Sequence, residues 1–307
     1  MSRGTAAKSS ASFKDLQTSH LPKHFNAMLE RLQDIPTLPV VATQINNLIN
    51  DPNSSAADIA AVMKKDQVLT AKILKLINSP YYGIPGGVTD VQRALAFLGF
   101  NTVAQLVLGI SVFSLFPDDG KKEDFQIFQF WRHALATAVC SEIIAREIKY
   151  AKPEEAFTCG LLHDIGKLVL HQIAHDTLNE VVMRAKAEKK SFFEVECELD
   201  LPTHGFLGEA IAAKWALPQV LRNAIRYHHT DVRNVSTLLP SAKIPAQIVG
   251  LADALVVAQA IGHSGNYTDG QLQPWMHECL GLDAVQTKAI RERVSTEMGK
   301  VGSFLSG

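Results

Sequence analysis

Apolar residues recur at helical spacing in almost every segment of the chain, and nowhere do alternating β-branched runs flank a hairpin turn. That regularity restricts the fold to helices packed on helices, because a sheet needs a period of two that no stretch supplies. Phe25, Met28, Leu29 and Leu32 open the pattern, and Val40, Val41, Ile45, Leu48 and Ile49 resume it after a proline-rich break. Turn formers at 51–54 end that helix, and Ser55 with Asp58 three residues on reads as a capping box. Helices follow over 57–64 and 68–78, from a Thr89 cap to a stop at Gly99, and over 101–116. The polar run 117–122 is rich in turn formers and marks a boundary. The expected organisation is therefore all-α: a disordered tail over 1–20, a helical unit over 21–118 and a second over 122–307.

The second unit opens with a long helix, 125–149, whose core face reads Phe128, Trp131, Leu135, Val139 and Ile143. Pro153 followed by Glu154 and Glu155 suits a first helical turn, where the missing N–H costs nothing and acids meet the dipole. Further helices fit 176–189, 191–199 (Ser191 and Glu194 as a capping box), 203–216, 218–229, 244–262 and 283–301.

Composition removes several function classes. Of 307 residues, 47% are hydrophobic and 20% charged, the balance of a globular protein with a sizeable core. A net charge of -1 offers no bulk attraction to nucleic acid or anionic lipid. The Ser/Ala-rich residues 1–14 contain no apolar stretch that a signal peptide needs. The most apolar windows, 102–116 and 246–262, are shorter than a membrane span and contain Gln105 or Asp253. Four cysteines (Cys140, Cys159, Cys197, Cys279) are too far apart for a zinc knuckle or a redox dithiol. They read as small core hydrophobes of a reducing compartment, so a soluble, cytoplasmic protein is expected.

The stretch that carries chemistry is Cys159-Gly160-Leu161-Leu162-His163-Asp164-Ile165-Gly166-Lys167. Its apolar neighbours imply burial, and a buried carboxylate is costly unless paired, hydrogen-bonded or bound to a metal. A His–Asp hydrogen bond fixing a helix turn would satisfy the pair; so would shared ligation of a first-row metal ion. Other residues of the same kind lie elsewhere. His133 sits on the long helix, His204 at a helix start, and His228 and His229 at a helix end. Asp253 interrupts a long apolar run with no Lys or Arg within one turn, so its partner must be tertiary. His133, His163, Asp164 and Asp253 can form one N/O site, and His204, His228 and His229 can extend it to a second ion. The remaining histidines (His20, His24, His171, His175, His263, His277) read as core or surface residues.

The order His133, His163-Asp164, Asp253 resembles the HD superfamily of metal-dependent phosphohydrolases. With His204 and His228-His229 added, it is similar to the two-metal HD-GYP branch, which hydrolyses cyclic di-GMP. Four motifs of the first half resemble the HDOD domain of bacterial signalling proteins more closely. These are Leu38-Pro39, Lys65-Asp66-Gln67-Val68-Leu69-Thr70-Ala71-Lys72-Ile73-Leu74, Asn78-Ser79-Pro80-Tyr81-Tyr82-Gly83 and Ala94-Leu95-Ala96-Phe97-Leu98-Gly99. Lys214-Trp215-Ala216-Leu217-Pro218 leading into Tyr227-His228-His229 adds a fifth, and the likeness covers residues 32–259.

The resemblance implies an all-helical regulatory or interaction module of signal transduction with an HD-type site, or alternatively a phosphohydrolase acting on a nucleotide or other phosphate ester. It implies one or two divalent ions (Fe, Mn, Ni, Mg or Zn) on the seven residues His133, His163, Asp164, His204, His228, His229 and Asp253. It also implies catalytic roles for Asp164 and for Lys167, which would meet phosphate charge. The partner it implies is a signalling protein or a nucleotide second messenger, with neither nucleic acid nor membrane. HDOD domains are generally non-catalytic relatives of HD-GYP domains, and many lack the ligands this chain keeps. HD-GYP features are missing too: Thr230-Asp231-Val232-Arg233-Asn234 stands in place of Gly-Tyr-Pro, and Gln129 where some members carry a further Glu. Among the remaining features, the Pro80–Gly87 loop sets two tyrosines, at least one expected to face the second unit.

Overall fold

The computed structural model describes residues 23–116, 124–268, 270 and 272–305; the expected tail at 1–20 and the boundary run at 117–122 lie outside them. The described residues are all-α, with no strand. In chain order the helices are α1 (Lys23–Arg31), α2 (Val40–Asn50), α3 (Ala56–Met63), α4 (Gln67–Ile77), α5 (Val91–Phe113), α6 (Ile127–Glu147), α7 (Pro153–Leu162) and α8 (Ile165–Ile173). They continue as α9 (His175–Glu188), α10 (Phe192–Glu198), α11 (His204–Lys214), α12 (Gln219–Tyr227), α13 (Pro240–Ala258), α14 (Pro274–Glu278) and α15 (Ala284–Leu305).

Local chemistry starts these helices. Both expected capping boxes form, Ser55 with Asp58 on α3 and Ser191 with Glu194 on α10. Asp66 caps α4 by accepting the Leu69 N–H at 2.9 Å. The cap of α5 is Asp90 rather than Thr89, because the Asp90 carboxylate takes the Arg93 N–H at 2.8 Å. Gly99, with φ 80° and ψ 168°, leaves helical geometry inside α5, which is the stop expected there.

From Val103 to Phe113 every residue of α5 is buried, and the helix packs on α2, α3 and α4 on one side and α7 on the other. One continuous hydrophobic cluster therefore runs through the molecule. In α6, every residue from His133 to Ala145 is buried beneath α7, α13 and α15. The expected core face of α6 is corrected at its start: Phe128 is 40% exposed and Trp131 half-buried. A helix enclosed on all sides carries no amphipathic stripe from which a face could be read. By length and composition alone, Val91–Phe113 and Ser241–Ala258 could cross a membrane, a correction to the shorter windows expected. However, 61% of each is buried, and Gly99 breaks the first. Short α14 has no counterpart among the expected helices.

Candidate metal centre

Leu162 ends α7, Ile165 begins α8, and the turn between them carries His163 and Asp164 into the interior, 0% and 1% exposed. Close helix crossings bring the other residues to them. A Cβ on Gly166 would lie 1.8 Å from the His204 carbonyl oxygen, so only glycine lets α8 approach the first turn of α11 this closely. A Cβ on Gly250 would lie 2.4 Å from the His228 carbonyl, so α13 likewise meets the end of α12 backbone to backbone. These two contacts set Asp164 against His204 and bring Asp253 to the same region.

All seven residues picked from the sequence converge, in two adjoining groups whose ligand atoms lie within 4.8 Å of one another: Asp164, His204, His228 and His229, and His133, His163 and Asp253. Asp164 stands between them. Its Oδ1 is 3.2 Å from His204 Nε2 and 3.6 Å from His228 Nε2. Its Oδ2 is 3.3 Å from His163 Nε2 and 3.8 Å from His133 Nε2. The tertiary partners of Asp253 are His133 at 3.0 Å and His163 at 3.7 Å. None of His171, His175, His263 or His277 belongs to either group.

Ring orientation decides what these contacts are. The Nδ1 of His163 donates to the Gly160 carbonyl at 2.7 Å, and that of His228 to the Ile225 carbonyl at 2.9 Å. The Nδ1 of His204 meets the Glu196 carboxylate at 2.7 Å. Each Nδ1 must carry the proton, so each neutral ring turns an Nε2 lone pair toward the cluster. While both rings are neutral, His204 Nε2 and His228 Nε2 stand 3.3 Å apart as two acceptors, a contact that a proton on His204 or a cation between the rings would relieve. The Nε2 atoms of His133 and His163 and one oxygen each of Asp164 and Asp253 are buried without a hydrogen-bond partner. Single atoms of this kind are scattered among the described residues, at Ser79, Ser111 and Thr137 for example, but here four belong to one cluster. Ligands about 2.0–2.1 Å from a tetrahedral ion lie about 3.3 Å from one another. The spacings around His204, 3.1 Å to His229, 3.2 Å to Asp164 and 3.3 Å to His228, match that edge. The residues fit a divalent metal.

Charge points the same way. Asp164, Asp253 and Glu196 are buried, and among the described residues Lys167 is the only buried ammonium with them, so with the three acids ionised the cluster holds an excess of two negative charges. In the metal-free chain protons offset it. Burial disfavours charge on His163, but the Asp164 and Asp253 carboxylates together outweigh it and raise the ring to about 10. Burial and the Lys167 ammonium oppose charge on His204, and Glu196 and Asp164 together overcome them and raise the ring. Burial also works against both carboxylates, yet His163 and Lys167 hold Asp164, and His133 and His163 hold Asp253, well below the usual carboxylate range. At His228 burial outweighs the Asp164 carboxylate, and the ring is pushed down to about 4.

Lys167 is 0% exposed; its Nζ lies 2.7 Å from Asp164 Oδ2, 3.3 Å from Ser264 Oγ and 5.0 Å from the centre of the Phe192 ring. The cleft that opens beside the cluster, about 740 Å³, is lined by His229 and Asp253 together with Lys189, Phe193, Tyr267 and Trp275, and not by Lys167. Glu196 and the cleft residues Lys189, Phe193, Tyr267 and Trp275 are given no functional role by the sequence. For Glu196 a signal existed: it falls one turn after Phe192, on the buried face of α10.

Comparison with known proteins agrees with this architecture. The sequence model of the HDOD domain matches residues 35–231. An uncharacterized protein of Treponema pallidum (strain Nichols) is 26% identical over 217 residues, 66% of this chain; the chain spans 39% of that relative's length. The crystal structure of an HDOD domain protein of unknown function from Geobacter sulfurreducens superposes with a TM-score of 0.74 at 23% identity, covering 92% of this chain and 96% of that one. A protein from Shewanella amazonensis SB2B, provisionally named a phosphohydrolase, superposes with a TM-score of 0.68 at 22% identity, covering 92% and 99%. At these identities the two structures share the fold, and the match over 35–231 shows the family: the chain belongs to the HDOD domain family.

Proposed function

We propose that this protein is a signal-transduction module of the cytoplasm that binds divalent metal at His133, His163, Asp164, His204, His228, His229 and Asp253, and passes the state of that site to a protein partner. One observation carries the reading: with its Nδ1 committed to Glu196, His204 turns Nε2 toward His229, Asp164 and His228 at 3.1, 3.2 and 3.3 Å, the edge lengths of a ligand set around one tetrahedral ion. The family resemblance supports a regulatory role, and four unpaired cysteines agree with a reducing compartment. The metal content of protein purified without a histidine tag tests it. One or two divalent ions per chain are expected, and a metal-free protein that takes up none on titration would overturn the reading.

A second reading, hydrolysis of a phosphate ester, is favoured by the cleft alone, which reaches the cluster at His229 and Asp253. Bound metal would supply a water of lowered pKa. Asp164 would hold that metal, and Lys189 at the rim would meet phosphate charge, while Lys167 keeps Asp164 ionised from behind. The provisional name of the Shewanella protein points to the same chemistry. Phosphate release from a panel of nucleotide and sugar phosphates by the metal-loaded chain, abolished by Asp253→Asn, is the expected outcome. Loaded protein inert on every ester leaves the regulatory reading alone.

A further inference from the structure

We infer that Glu196 is a positioning residue that makes His204 a metal ligand by fixing its tautomer; the inference rests on the metal-binding reading above. Glu196 is wholly buried on α10 and spends both carboxylate oxygens on one residue. Oε1 accepts the His204 backbone N–H at 2.7 Å and Oε2 faces His204 Nδ1 at 2.7 Å. No Lys or Arg of the described residues lies within ion-pair distance of it, so His204 is the one partner of this buried charge. Capping α11 does not require it, since the Thr203 side chain already accepts the Phe206 N–H.

What a carboxylate offers here, and an amide does not, is an acceptor at both oxygens. The Nδ1 of His204 must therefore donate, and its Nε2 lone pair is left facing Asp164, His228 and His229. A carboxylate behind a ligating imidazole also raises the basicity of the ring. The surroundings hold this geometry. The Ser191–Glu194 capping box fixes the start of α10, and the Leu201 N–H closes on the Glu196 carbonyl at 2.9 Å. The Phe192 ring stands edge-on to His204, centroids 5.7 Å apart, and limits its rotation.

Glu196→Gln separates this role from a structural one. The Gln oxygen must stay on the His204 N–H, because the reverse orientation sets two donors face to face. Its NH₂ then meets Nδ1, which becomes an acceptor, and the ring proton moves to Nε2 and blocks the lone pair. Titration of metal-free protein with Zn²⁺ against a chromophoric chelator is expected to show affinity at the His204 group lowered roughly 10–100-fold. Histidine ¹⁵N NMR of the metal-free chain at alkaline pH is expected to show His204 as Nδ1–H, and as Nε2–H in the variant. Unchanged Zn²⁺ affinity, or a melting temperature that falls while affinity stays, overturns the proposal in favour of a structural cap. If the variant does not fold, an Nε2–H tautomer in the wild-type chain overturns it as well. Should wild-type protein bind no Zn²⁺, the metal reading fails, and the tautomer measurement still judges Glu196.

Discussion

The helices α1 to α5 and the helices α6 to α13 bury polar groups in different ways. In the first set the buried polar residues are Asn46, Ser79, Gln105 and Ser111, all uncharged and scattered; the Asn46 amide donates to the Ala216 carbonyl at 2.8 Å, and each of the four keeps one buried side-chain atom unpartnered. In the second, Asp164, Asp253, Glu196, Lys167 and the rings of His133, His163, His204 and His228 are buried together. Burying one unpaired charge costs several kcal/mol, roughly the margin by which a domain is stable. A chain that concentrates eight such groups in one place is specifying a site, whereas the first set specifies only packing. The comparison also locates the tight crossings: Gly166 and Gly250 bring backbones together at the cluster.

The largest expected effect that sharpens this contrast is at Asp164. Asp164→Ala removes the one residue placed between both ligand groups and strands the Lys167 ammonium, which is 0% exposed. Loss of one partner from a buried pair costs about 3–5 kcal/mol. Urea unfolding should therefore show a large drop even in metal-free protein, with metal content near zero. Asp164→Asn, which keeps an acceptor for Lys167, should recover much of the stability and little of the metal. Equal metal content in all three proteins would break the distinction between the two regions.

Acidity gives the next effect, and its sign is fixed by His163, whose ring is raised to about 10 in the metal-free fold from an ordinary value of 6.5. A raised pKa contributes stability that is full below the unfolded value and fades as pH climbs through the folded one. The melting temperature of metal-free protein is thus expected to fall between about pH 7 and 10. Metal binding displaces that proton, so loaded protein should show no such fall and affinity should rise with pH over the same window. A metal-free chain whose stability is flat across it would mean that His163 carries no proton there.

A smaller loss is expected from Gly166→Ala. The added methyl would sit 1.8 Å from the His204 carbonyl, and the neighbour is backbone, so α8 and α11 must separate. Overpacking of this kind costs about 1–3 kcal/mol, sometimes more. Separation also pulls Asp164 from His204, so calorimetric metal affinity should fall with the melting temperature. Gly299→Ala on α15, where a Cβ meets nothing within 4 Å, is the control and should be neutral or slightly stabilising. Affinity untouched in Gly166→Ala would show that the close crossing serves packing alone.

The two regions were also unequally legible in the sequence. Capping boxes at Ser55 and Ser191, the stop at Gly99 and the break after Asn78 are local events, written in residues three or four apart. Asp253 was legible for a different reason: an acid inside an apolar helix declares a tertiary partner without naming it. His133 and His163 became its neighbours only through the crossings of α6, α7 and α13, which no local pattern encodes. Glu196 was missed because α10 carries three glutamates, Glu194, Glu196 and Glu198, and the buried one is distinguished only by its phase with Phe192. Phe128 was misplaced for the converse reason, since an enclosed helix has no polar face against which to set the phase. Lys167 was expected to face phosphate; it lies behind Asp164, out of the cleft, because its position one turn on from Asp164 turns it inward between Phe192 and Ser264.

The smallest effect concerns the seam between the two regions. The Tyr81 hydroxyl, in the loop after α4, donates to Glu142 Oε2 at 2.7 Å, on the same helix as His133. Burial first, and then the Glu142 charge, push the phenol well above its usual range, so it remains a donor at any pH the protein meets. Glu142 keeps a second partner, the Arg146 guanidinium, at 2.6 Å from its other oxygen. Tyr81→Phe therefore removes one hydrogen bond without stranding the carboxylate, and Tyr82 still packs edge-on against the ring, 4.9 Å between centroids in the native protein. A loss of about 0.5–1.5 kcal/mol follows. No ligand moves, so metal affinity should be unchanged, while amide exchange in the loop should quicken relative to α6. Altered metal affinity in Tyr81→Phe would mean that α6 transmits the state of this loop to His133, and that the two regions act as one.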